Sequence, residues 1–357
     1  MAAINGPQRA SLIGTGLVGG SIGLALRARG WHVTGTDADT DAEQRALDMG
    51  VIDAIGIDPD STVTFVAVPV SSVAAEVRRA LETTSGAVTD VGSVKASVVR
   101  ELAHPRFVGG HPMAGSEQLG LDGATADMFQ GAVWVLTPVG DTDSDHYAVV
   151  AAVARQLGAD VVALDPERHD ALVAVVSHVP HLTAAALMGI ADARAGEHAA
   201  LLRLAAGGFR DMTRIAAGTP TIWPDICTEN GAAIVEVIDR LTDELGRLRN
   251  LVSTGDRDEL LITLERAQAA RRNLPGRVVH PDQVAEVRVP VPDRDGVIAE
   301  VSTLASELSI SIADIEVAHS SEGDRGVLIL LVDRERAESF RVGLVDRGYR
   351  PNVTYLD

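Results

Sequence analysis

The chain has 357 residues, with 50 acidic and 31 basic side chains and a formal net charge of −19 at pH 7. At roughly 100 to 200 residues per domain, this length predicts two or three domains with room for buried cores. The negative charge would repel nucleic-acid phosphates and anionic membrane surfaces, so neither nucleic acid nor a membrane is expected as a partner. Cys227 is the single cysteine, which excludes an internal disulfide and favours a reducing, cytoplasmic location.

An apolar segment near the N-terminus, SLIGTGLVGGSIGLAL at residues 11–26, has some features of a secretion signal. Five glycines interrupt it, however, and no A-x-A cleavage site follows. The glycines are better explained by nucleotide binding. No other run approaches the roughly 18 apolar residues that a membrane span requires.

A glycine-rich loop follows the first predicted strand, residues 9–14. Gly14, Gly16 and Gly19 match the pattern G-x-G-x-x-G immediately before a helical run. Gly14 would form the tight turn, Gly16 would let the backbone approach a pyrophosphate, and Gly19 would let the helix pack on the strand. With Leu17 inside the loop, these residues are predicted to bind a dinucleotide.

The next apolar strand, WHVTGTD, ends in Asp37, at about the 20-residue spacing expected of a carboxylate that binds ribose. Ala38 and Asp39 follow without a nearby arginine, so a 2′-phosphate would meet like charge. The sequence therefore predicts NAD rather than NADP as the cofactor. In the alternative interpretation, Asp37 is a turn residue and the glycines are a packing motif.

Strands and helices alternate as far as residue 165, which predicts a Rossmann-type α/β domain over residues 1–165. The later strands of this region are predicted at 62–70, 86–93, 105–112, 132–138 and 159–164. In a doubly wound sheet, ligands bind beyond the carboxyl ends of the strands. Val68 and Pro69 are therefore predicted to border the cofactor, and Ser93, Lys95 and His111 to converge near the nicotinamide.

The stretch FVGGHPMAGSEQLG, residues 107–120, places His111 on a glycine-rich loop. No cysteine or second histidine follows at the spacing of a metal site. We expect the surrounding glycines to let a ring-shaped substrate and a flat cofactor approach the backbone closely. The alternative is an ordinary hydrogen-bonded loop histidine.

The chain changes character after residue 165. Long apolar and amphipathic helices are predicted at 167–193, 232–252 and 257–274, in an all-α domain over residues 166–279. Helices this apolar need a partner surface, which favours a homodimer. After the linker PGRVVHP, residues 285–357 follow the order βαββαβ of a ferredoxin-like fold.

The C-terminal segment, 285–357, resembles an ACT domain on the basis of this pattern. The resemblance implies a regulatory domain with an amino-acid effector site at a dimer interface, formed by the turn DRDG at residues 293–296 and the helix that follows. A purely structural role for the segment is the alternative.

Four motifs occur in order along the chain: DVGSVK at 90–95, FVGGHPMAGSEQLG at 107–120, SHVPHL at 177–182 and GGFRDMTRIA at 207–216. Together they resemble the prephenate and arogenate dehydrogenases of tyrosine biosynthesis. The resemblance implies oxidative decarboxylation of a cyclohexadienol with NAD(P)+ by a homodimer with interlocking helical domains. Prephenate is the expected substrate, and arogenate, which carries an amino group in place of the keto group, is the alternative.

The chemistry of this reaction assigns expected roles to two residues. His111 would accept the proton of the ring hydroxyl, because a histidine titrates near neutral pH. Ser93 would hydrogen-bond either the imidazole or the hydroxyl and is also expected to contact the cofactor.

The anionic substrate needs cationic and polar ligands. Arg214 is expected to bind a carboxylate, and the resemblance places it in the substrate pocket. Arg210 lies four residues earlier on the same predicted helical face and would assist, or else form a surface or dimer salt bridge. The remaining expected substrate ligands are His181, Ser116, Glu117 and Trp223. For Ser116, Glu117 and Trp223, ordinary loop or core packing is the alternative.

A metal site formed by His178 and His181 with His169 or His111 is the less favoured alternative, since no carboxylate or thiol accompanies them at ligand spacing.

Two rival functions remain. One is oxidation of a different hydroxy acid or imine, and the other is a non-catalytic amino-acid sensor that retains the nucleotide fold as a relic.

Overall fold

A computed structural model of the chain describes residues 8–355, except for residues 116–117, 119, 196–203, 273–283, 293, 295 and 320–324. The chain divides into two compact units. The first unit comprises residues 1–190 and 213–245, and the second comprises residues 191–212 and 246–357. The domain boundaries inferred from the sequence stay predictions.

In the first unit, the described strands form one eight-stranded sheet in the order β3-β2-β1-β4-β5-β6-β7-β8. The strands are β1 (Arg9–Ile13), β2 (His32–Thr36), β3 (Ala54–Ile55), β4 (Val63–Val66), β5 (Ala87–Asp90), β6 (Phe107–Pro112), β7 (Val133–Thr137) and β8 (Asp160–Ala163). The strand order reverses between β1 and β4, which is where dinucleotides bind in such sheets. The predicted Rossmann-type domain is confirmed.

The last two strands run opposite to the other six, because β7 pairs with β6 antiparallel and β8 pairs with β7 parallel. A parallel pair needs a crossover connection, usually a helix that packs on the sheet. Between β6 and β7, the described residues contain only one short 3₁₀ turn, Leu121–Gly123. Without a crossover helix the chain returns in the opposite direction.

Among the described residues, five helices flank this sheet: α1 (Leu17–Arg27), α2 (Thr40–Asp48), α3 (Val70–Thr83), α4 (Ala96–Glu101) and α5 (Ser144–Gln156). Leu12, Phe65 and Trp134 from the strands are fully buried, as are Ile22 and Leu26 from α1. This core fixes the position of the loop between β1 and α1, because the apolar face of the helix packs directly on the strands.

The helical region consists of α6 (Pro166–Val173), α7 (Val179–Ala195), α8 (Gly207–Thr213), α9 (Trp223–Glu229), α10 (Gly231–Thr254) and α11 (Arg257–Arg272). The predicted single helix over 167–193 is interrupted by a π-helical turn, Ala174–His178. The turn lies just before Pro180, whose ring has no amide hydrogen to donate to the preceding turn. Within the turn, the amide of Val179 donates to the carbonyl of Ala174, five residues earlier.

The stretch Pro166–Arg194 is long and apolar enough to cross a membrane by length and composition alone. In the structure it carries His169, Asp170 and His178, which are all buried. Buried polar side chains that bond to the neighbouring elements are typical of a helix that belongs to a folded domain.

The C-terminal part of the second unit is a small sheet with the strand order β10-β11-β9-β12. Its elements are β9 (Val284–Pro292), α12 (Val297–Glu307), β10 (Ile312–His319), β11 (Arg325–Asp333), α13 (Ala337–Asp346) and β12 (Asn352–Tyr355). Every described strand pair in it is antiparallel. The predicted βαββαβ order is confirmed. Asp293 and Asp295 of the DRDG turn lie outside the described residues.

Candidate functional site

The glycine loop between β1 and α1 has the geometry that the sequence predicts. Gly14 has a φ of +94°, and a Cβ there would lie 2.2 Å from the carbonyl oxygen of Ala67. A Cβ on Gly19 would lie 2.0 Å from the carbonyl oxygen of Gly14. Around Gly16, by contrast, no described atom lies within 4 Å of the Cβ position. This open backbone at the N-terminus of α1 fits the pyrophosphate of a dinucleotide.

Asp37 follows the carboxyl end of β2 and is bonded to the glycine loop. Its Oδ2 accepts hydrogen bonds from the amide of Thr15 at 2.7 Å and from the hydroxyl of Thr15 at 3.0 Å. Its Oδ1 accepts a longer bond, 3.2 Å, from the amide of Asp39. The carboxylate is therefore fixed beside the loop, with a lone pair remaining on Oδ1 for a ribose hydroxyl.

The other predicted cofactor residues surround the same loop. Leu17 is the first residue of α1. Val68 packs next to Gly14, since its Cγ1 lies 3.2 Å from the position of a Cβ on that glycine. Pro69 immediately precedes α3 and is exposed. Their contacts with the cofactor stay predictions.

His111 lies on β6, where it pairs with Val135 of β7. Its Nδ1 atom is 2.9 Å from Nε2 of His169 on α6. Nδ1 of His169 is in turn 2.8 Å from Oδ1 of Asp170. These side chains form a hydrogen-bonded chain that runs from a buried carboxylate to His111.

The carboxylate of Asp170 has a second set of partners. Oδ1 accepts the amide hydrogen of Lys95 at 2.9 Å, and Oδ2 accepts that of Ala96 at 2.8 Å. These amides are at the start of α4, directly after the loop that carries Ser93. Ser93 itself is half-buried. The carboxylate of Asp170 thus bonds both to His169, the partner of His111, and to the backbone that follows Ser93.

A buried ion pair braces the ends of β5 and β6. The ammonium group of Lys95 bonds to Oδ2 of Asp90, and both side chains are fully buried. The same carboxylate accepts hydrogen bonds from the amide of Gly92 at 2.9 Å and from the amide of Gly110 at 3.1 Å. Burial lowers the pKa of Lys95, and the charge of Asp90 opposes that shift.

The surroundings of His111 favour its neutral form. Burial lowers its pKa well below the usual range, and the neighbouring His169, Lys95 and His178 lower that pKa further. An imidazolium loses hydration on burial and is repelled by other cations. His111 is therefore neutral at physiological pH and able to accept a proton.

The expectation for the glycines beside His111 is wrong for Gly109 and Gly110. A Cβ on Gly109 would lie 2.4 Å from Oγ1 of Thr137, and a Cβ on Gly110 would lie 2.7 Å from the carbonyl oxygen of Asp90. These glycines are required by close packing within the sheet, not by the approach of a substrate.

A second cluster of rings, from α7, α9 and the π-helical turn, lies in the same unit. The imidazole of His181 stacks on Trp223, with ring centroids 3.7 Å apart. His178 meets the same indole edge-on at 6.1 Å. Nδ1 of His178 is 3.2 Å from Nδ2 of Asn230, and the same amide donates to the carbonyl of Asp170 at 2.9 Å. Burial lowers the pKa of His178 to about 4.

The predicted arginines do not share one α-helix. Arg210 is on α8, in the second unit, and its Nε donates to the carbonyl of Ala205 at 3.1 Å. Arg214 begins a 3₁₀ turn in the first unit and is exposed. That turn is followed by Gly218, where a Cβ would lie 3.8 Å from Cε1 of His181. Ser116 and Glu117 lie outside the described residues.

Sequence reasoning missed three polar side chains of the site, Asp90, Asp170 and Asn230. Asp90 and Asp170 carried a detectable signal, since Asp90 is the one charged residue of the strand predicted at 86–93 and Asp170 directly follows a histidine. No pattern in the sequence marks Asn230. Among the described residues, no group of three or more histidine, cysteine or acidic side chains is suited to hold a metal ion.

The open glycine loop, the fixed Asp37 and the neutral His111 at the carboxyl edge of the sheet define an NAD-dependent dehydrogenase. Two family models match the chain. The nucleotide-binding domain of prephenate dehydrogenase matches residues 22–163, and its dimerization domain matches residues 165–266. The chain belongs to the prephenate dehydrogenase family.

Similar proteins agree with this assignment. Prephenate dehydrogenase from Bacillus subtilis is 33% identical over 92% of this chain and 94% of that protein. Cyclohexadienyl dehydrogenase from Zymomonas mobilis is 33% identical over 73% of this chain and 94% of that protein. Crystallised prephenate dehydrogenase from Aquifex aeolicus, in complex with hydroxyphenyl propionate and NAD+, is 30% identical, with a TM-score of 0.71 over 76% of this chain and 100% of that chain.

Proposed function

We propose that this enzyme oxidises prephenate with NAD+ to 4-hydroxyphenylpyruvate, carbon dioxide and NADH. The observation that carries the proposal is the neutral His111, held through Nδ1 at the carboxyl edge of a sheet whose glycine loop fits a dinucleotide. The identity of the substrate is inferred from the similar proteins that are named prephenate dehydrogenases.

The proposed reaction balances with one base. Bound NAD+ accepts the hydride of the ring carbinol carbon. His111 accepts the proton of the carbinol hydroxyl through Nε2, which is the imidazole nitrogen that does not face His169. The bond between the ring and its carboxylate then breaks, carbon dioxide leaves, and the electron pair aromatises the ring. His111 returns its proton to the phenolic oxygen, and Ser93 orients the hydroxyl during both transfers.

The remaining site residues are proposed to bind the anionic substrate. Arg214 is proposed to bind a carboxylate of the substrate. It begins the 3₁₀ turn that is followed by Gly218, and Gly218 lies beside His181. His181 and Trp223 form one side of the ring-binding pocket through their stacked rings. Arg210, Ser116 and Glu117 are proposed as further ligands on the basis of the sequence resemblance alone.

Arogenate is the second candidate substrate. A cyclohexadienyl dehydrogenase and a crystallised arogenate dehydrogenase from Synechocystis, 29% identical with a TM-score of 0.63 over 74% of this chain and 98% of that chain, are among the similar proteins. Steady-state assays that follow NADH absorbance, with each substrate and with NAD+ or NADP+, decide between the candidates. Turnover of prephenate with NAD+ supports the proposal, and turnover of arogenate alone overturns it.

We also propose a homodimer formed through the helical region. Its helices expose large apolar side chains in the single chain, among them Val176, Ile190, Val235 and Val252. The family model that matches residues 165–266 describes a dimerization domain. Exposed apolar area of this extent is typical of a surface that a partner covers.

We further propose that the C-terminal sheet is an ACT-like regulatory domain with an aromatic amino acid as effector. Its βαββαβ order supports this proposal. The intact glycine loop and histidine chain argue against a non-catalytic sensor. Removal of residues 285–357 should leave turnover and abolish amino-acid sensitivity. Loss of NADH formation with retained amino-acid binding in the full chain would favour the sensor.

The single cysteine supports a cytoplasmic location.

A further inference from the structure

We propose that His169 and Asp170 are positioning residues that keep the proton of neutral His111 on Nδ1, so that Nε2 faces the substrate as an acceptor. The inference deepens the proposed function and rests on it for its kinetic consequence. The tautomer itself is a property of the protein without substrate, and it is measurable whatever the substrate proves to be.

The tautomer follows from the donor and acceptor inventory of the chain. An ionised carboxylate can only accept, so Nδ1 of His169 donates its hydrogen to Asp170. A His169 ring with a single hydrogen then carries none on Nε2, and this nitrogen must accept. The hydrogen between the two imidazoles therefore belongs to Nδ1 of His111. Nε2 of His111 is left as an acceptor for a hydroxyl proton.

Burial keeps this arrangement in place. His169 has 0% of its surface exposed and Asp170 has 4%, so water does not compete for their hydrogen bonds. Each carboxylate oxygen of Asp170 also accepts a backbone amide hydrogen, from Lys95 at 2.9 Å and from Ala96 at 2.8 Å. Rotation of the carboxylate would break both bonds, each of which is charge-assisted.

The product of proton transfer can keep the same hydrogen bonds. When His111 accepts a proton it becomes an imidazolium that donates through Nδ1 to His169. The neighbouring His169, Lys95 and His178 oppose this positive charge, and the carboxylate of Asp90 is engaged by Lys95. Asp170 is the anion that is linked to His111 through hydrogen bonds, by way of His169.

Asp170→Asn tests the inference because a carboxamide has one acceptor and one donor end. Both carboxylate oxygens of Asp170 face a backbone N–H group, so the amino end of the asparagine would always meet a donor. If that end faces His169, then Nδ1 of His169 accepts, and Nε2 carries the hydrogen and donates to His111. That alternative places the His111 hydrogen on Nε2. We expect kcat for prephenate to fall by roughly 100- to 10,000-fold, with KM for prephenate and for NAD+ within about threefold of wild type.

Asp165→Asn is the matched control. Asp165 caps the N-terminus of the same helix, α6, by accepting from the amide of Arg168, and asparagine caps equally well. The control should keep wild-type kcat. His169→Asn is the second variant, because its shorter side chain cannot span His111 and Asp170, and it should lower kcat by a similar factor.

Histidine ring ¹⁵N NMR on the wild-type protein reads the tautomer directly, with the His111 signals assigned by their loss in His111→Asn. The expected result is a protonated Nδ1 and an unprotonated Nε2 in the wild type, and a shift toward protonated Nε2 in Asp170→Asn. A protonated Nε2 in the wild type overturns the inference, as does wild-type kcat in both variants. If the wild type does not oxidise prephenate, the proposed function fails, while the NMR result still decides the tautomer.

Discussion

The indole of Trp223 lies flat against the imidazole of His181, with ring centroids 3.7 Å apart and an interplanar angle of 16°. The rings come from α9 and α7, which are separated in sequence by the segment that contains Arg214. Burial lowers the pKa of His181, so the stacked imidazole is neutral at physiological pH. The stack fixes the plane of a predicted substrate ligand.

Removal of this stack should weaken substrate binding more than turnover. In Trp223→Leu, His181 loses its ring partner, and an aromatic pair contributes about 0.5–1.5 kcal/mol beyond its buried area. We expect KM for prephenate to rise roughly two- to tenfold in steady-state assays, with kcat within about twofold. Trp223→Phe should retain most of the binding, and Ile222→Ala, at an exposed neighbouring position, serves as the control. An unchanged KM in Trp223→Leu would show that the stack does not border the substrate.

Asp37 should determine the preference for NAD+. Loss of a charged hydrogen-bond acceptor costs about 1.5–3 kcal/mol, so Asp37→Ser is expected to raise KM for NAD+ roughly 10- to 100-fold. The same change removes the like charge that a 2′-phosphate would meet, which should narrow the gap between NAD+ and NADP+.

Two controls separate the loss of ribose binding from disturbance of the loop. Thr15→Val removes the hydroxyl bond to Asp37 but keeps the amide bond, and Asp39→Ser removes a nearby charge while it retains a cap for α2. Thr15→Val should leave the cofactor preference intact, and Asp39→Ser should leave KM for NAD+ intact. An equal rise of KM in all three variants would contradict the assignment of Asp37 to the ribose.

Gly16 and Gly19 should respond differently to the same substitution. Gly16→Ala meets open space within the described structure, so the protein should fold normally while its new methyl group obstructs the pyrophosphate. Gly19→Ala places a methyl group 2.0 Å from the carbonyl oxygen of Gly14 and should lower the free energy of unfolding by several kcal/mol. Thermal denaturation and NAD+ titration distinguish the two effects. Tight NAD+ binding by Gly16→Ala would contradict the proposed path of the pyrophosphate.

His178 should make stability depend on pH below neutrality. Its pKa in the folded protein is about 4, against an ordinary value of 6.5, so between these values the unfolded chain binds a proton that the folded chain does not. The stabilisation is fully present above pH 6.5 and is lost as the pH falls. At pH 5 this effect lowers the free energy of unfolding by about 2 kcal/mol relative to its value above pH 6.5.

Urea denaturation followed by tryptophan fluorescence measures this dependence, because Trp31, Trp134 and Trp223 all belong to the first unit. His178→Gln is expected to lose less stability than wild type between pH 7.5 and pH 5, by about 2 kcal/mol. His32→Gln, at an exposed position, is the control. Equal losses in His178→Gln and wild type would show that His178 is not held neutral by burial.

Local patterns predicted the elements that build the cofactor site. Gly14, Gly16 and Gly19 act through the backbone within one turn, and Asp37 ends the adjacent strand, so spacing alone indicated the loop and its carboxylate. The spacing of apolar residues and the length of the apolar runs likewise indicated the long helices and the βαββαβ order of the C-terminal sheet.

The long-range contacts of the site could not be predicted in this way. His111 and His169 are 58 residues apart, and Asp170 and Lys95 are 75 residues apart, so only the packing of α6 against the sheet edge brings them together. The π-helical turn before Pro180 and the antiparallel β7 also depend on tertiary structure. The packing role of Gly109 and Gly110 could not be predicted, because their close contacts with Thr137 and Asp90 are not visible in the sequence.

The pH profile of kcat/KM for prephenate, compared between wild type and His111→Asn, tests the central claim most directly. The lowered pKa of His111 keeps its imidazole neutral as the pH falls past 6.5, so the acid limb of the wild-type profile should begin below that value. His111→Asn should reduce kcat roughly 100- to 10,000-fold, with NAD+ affinity unchanged and the acid limb abolished. Wild-type turnover by His111→Asn, or an identical acid limb in both proteins, would contradict the assignment of His111 as the base.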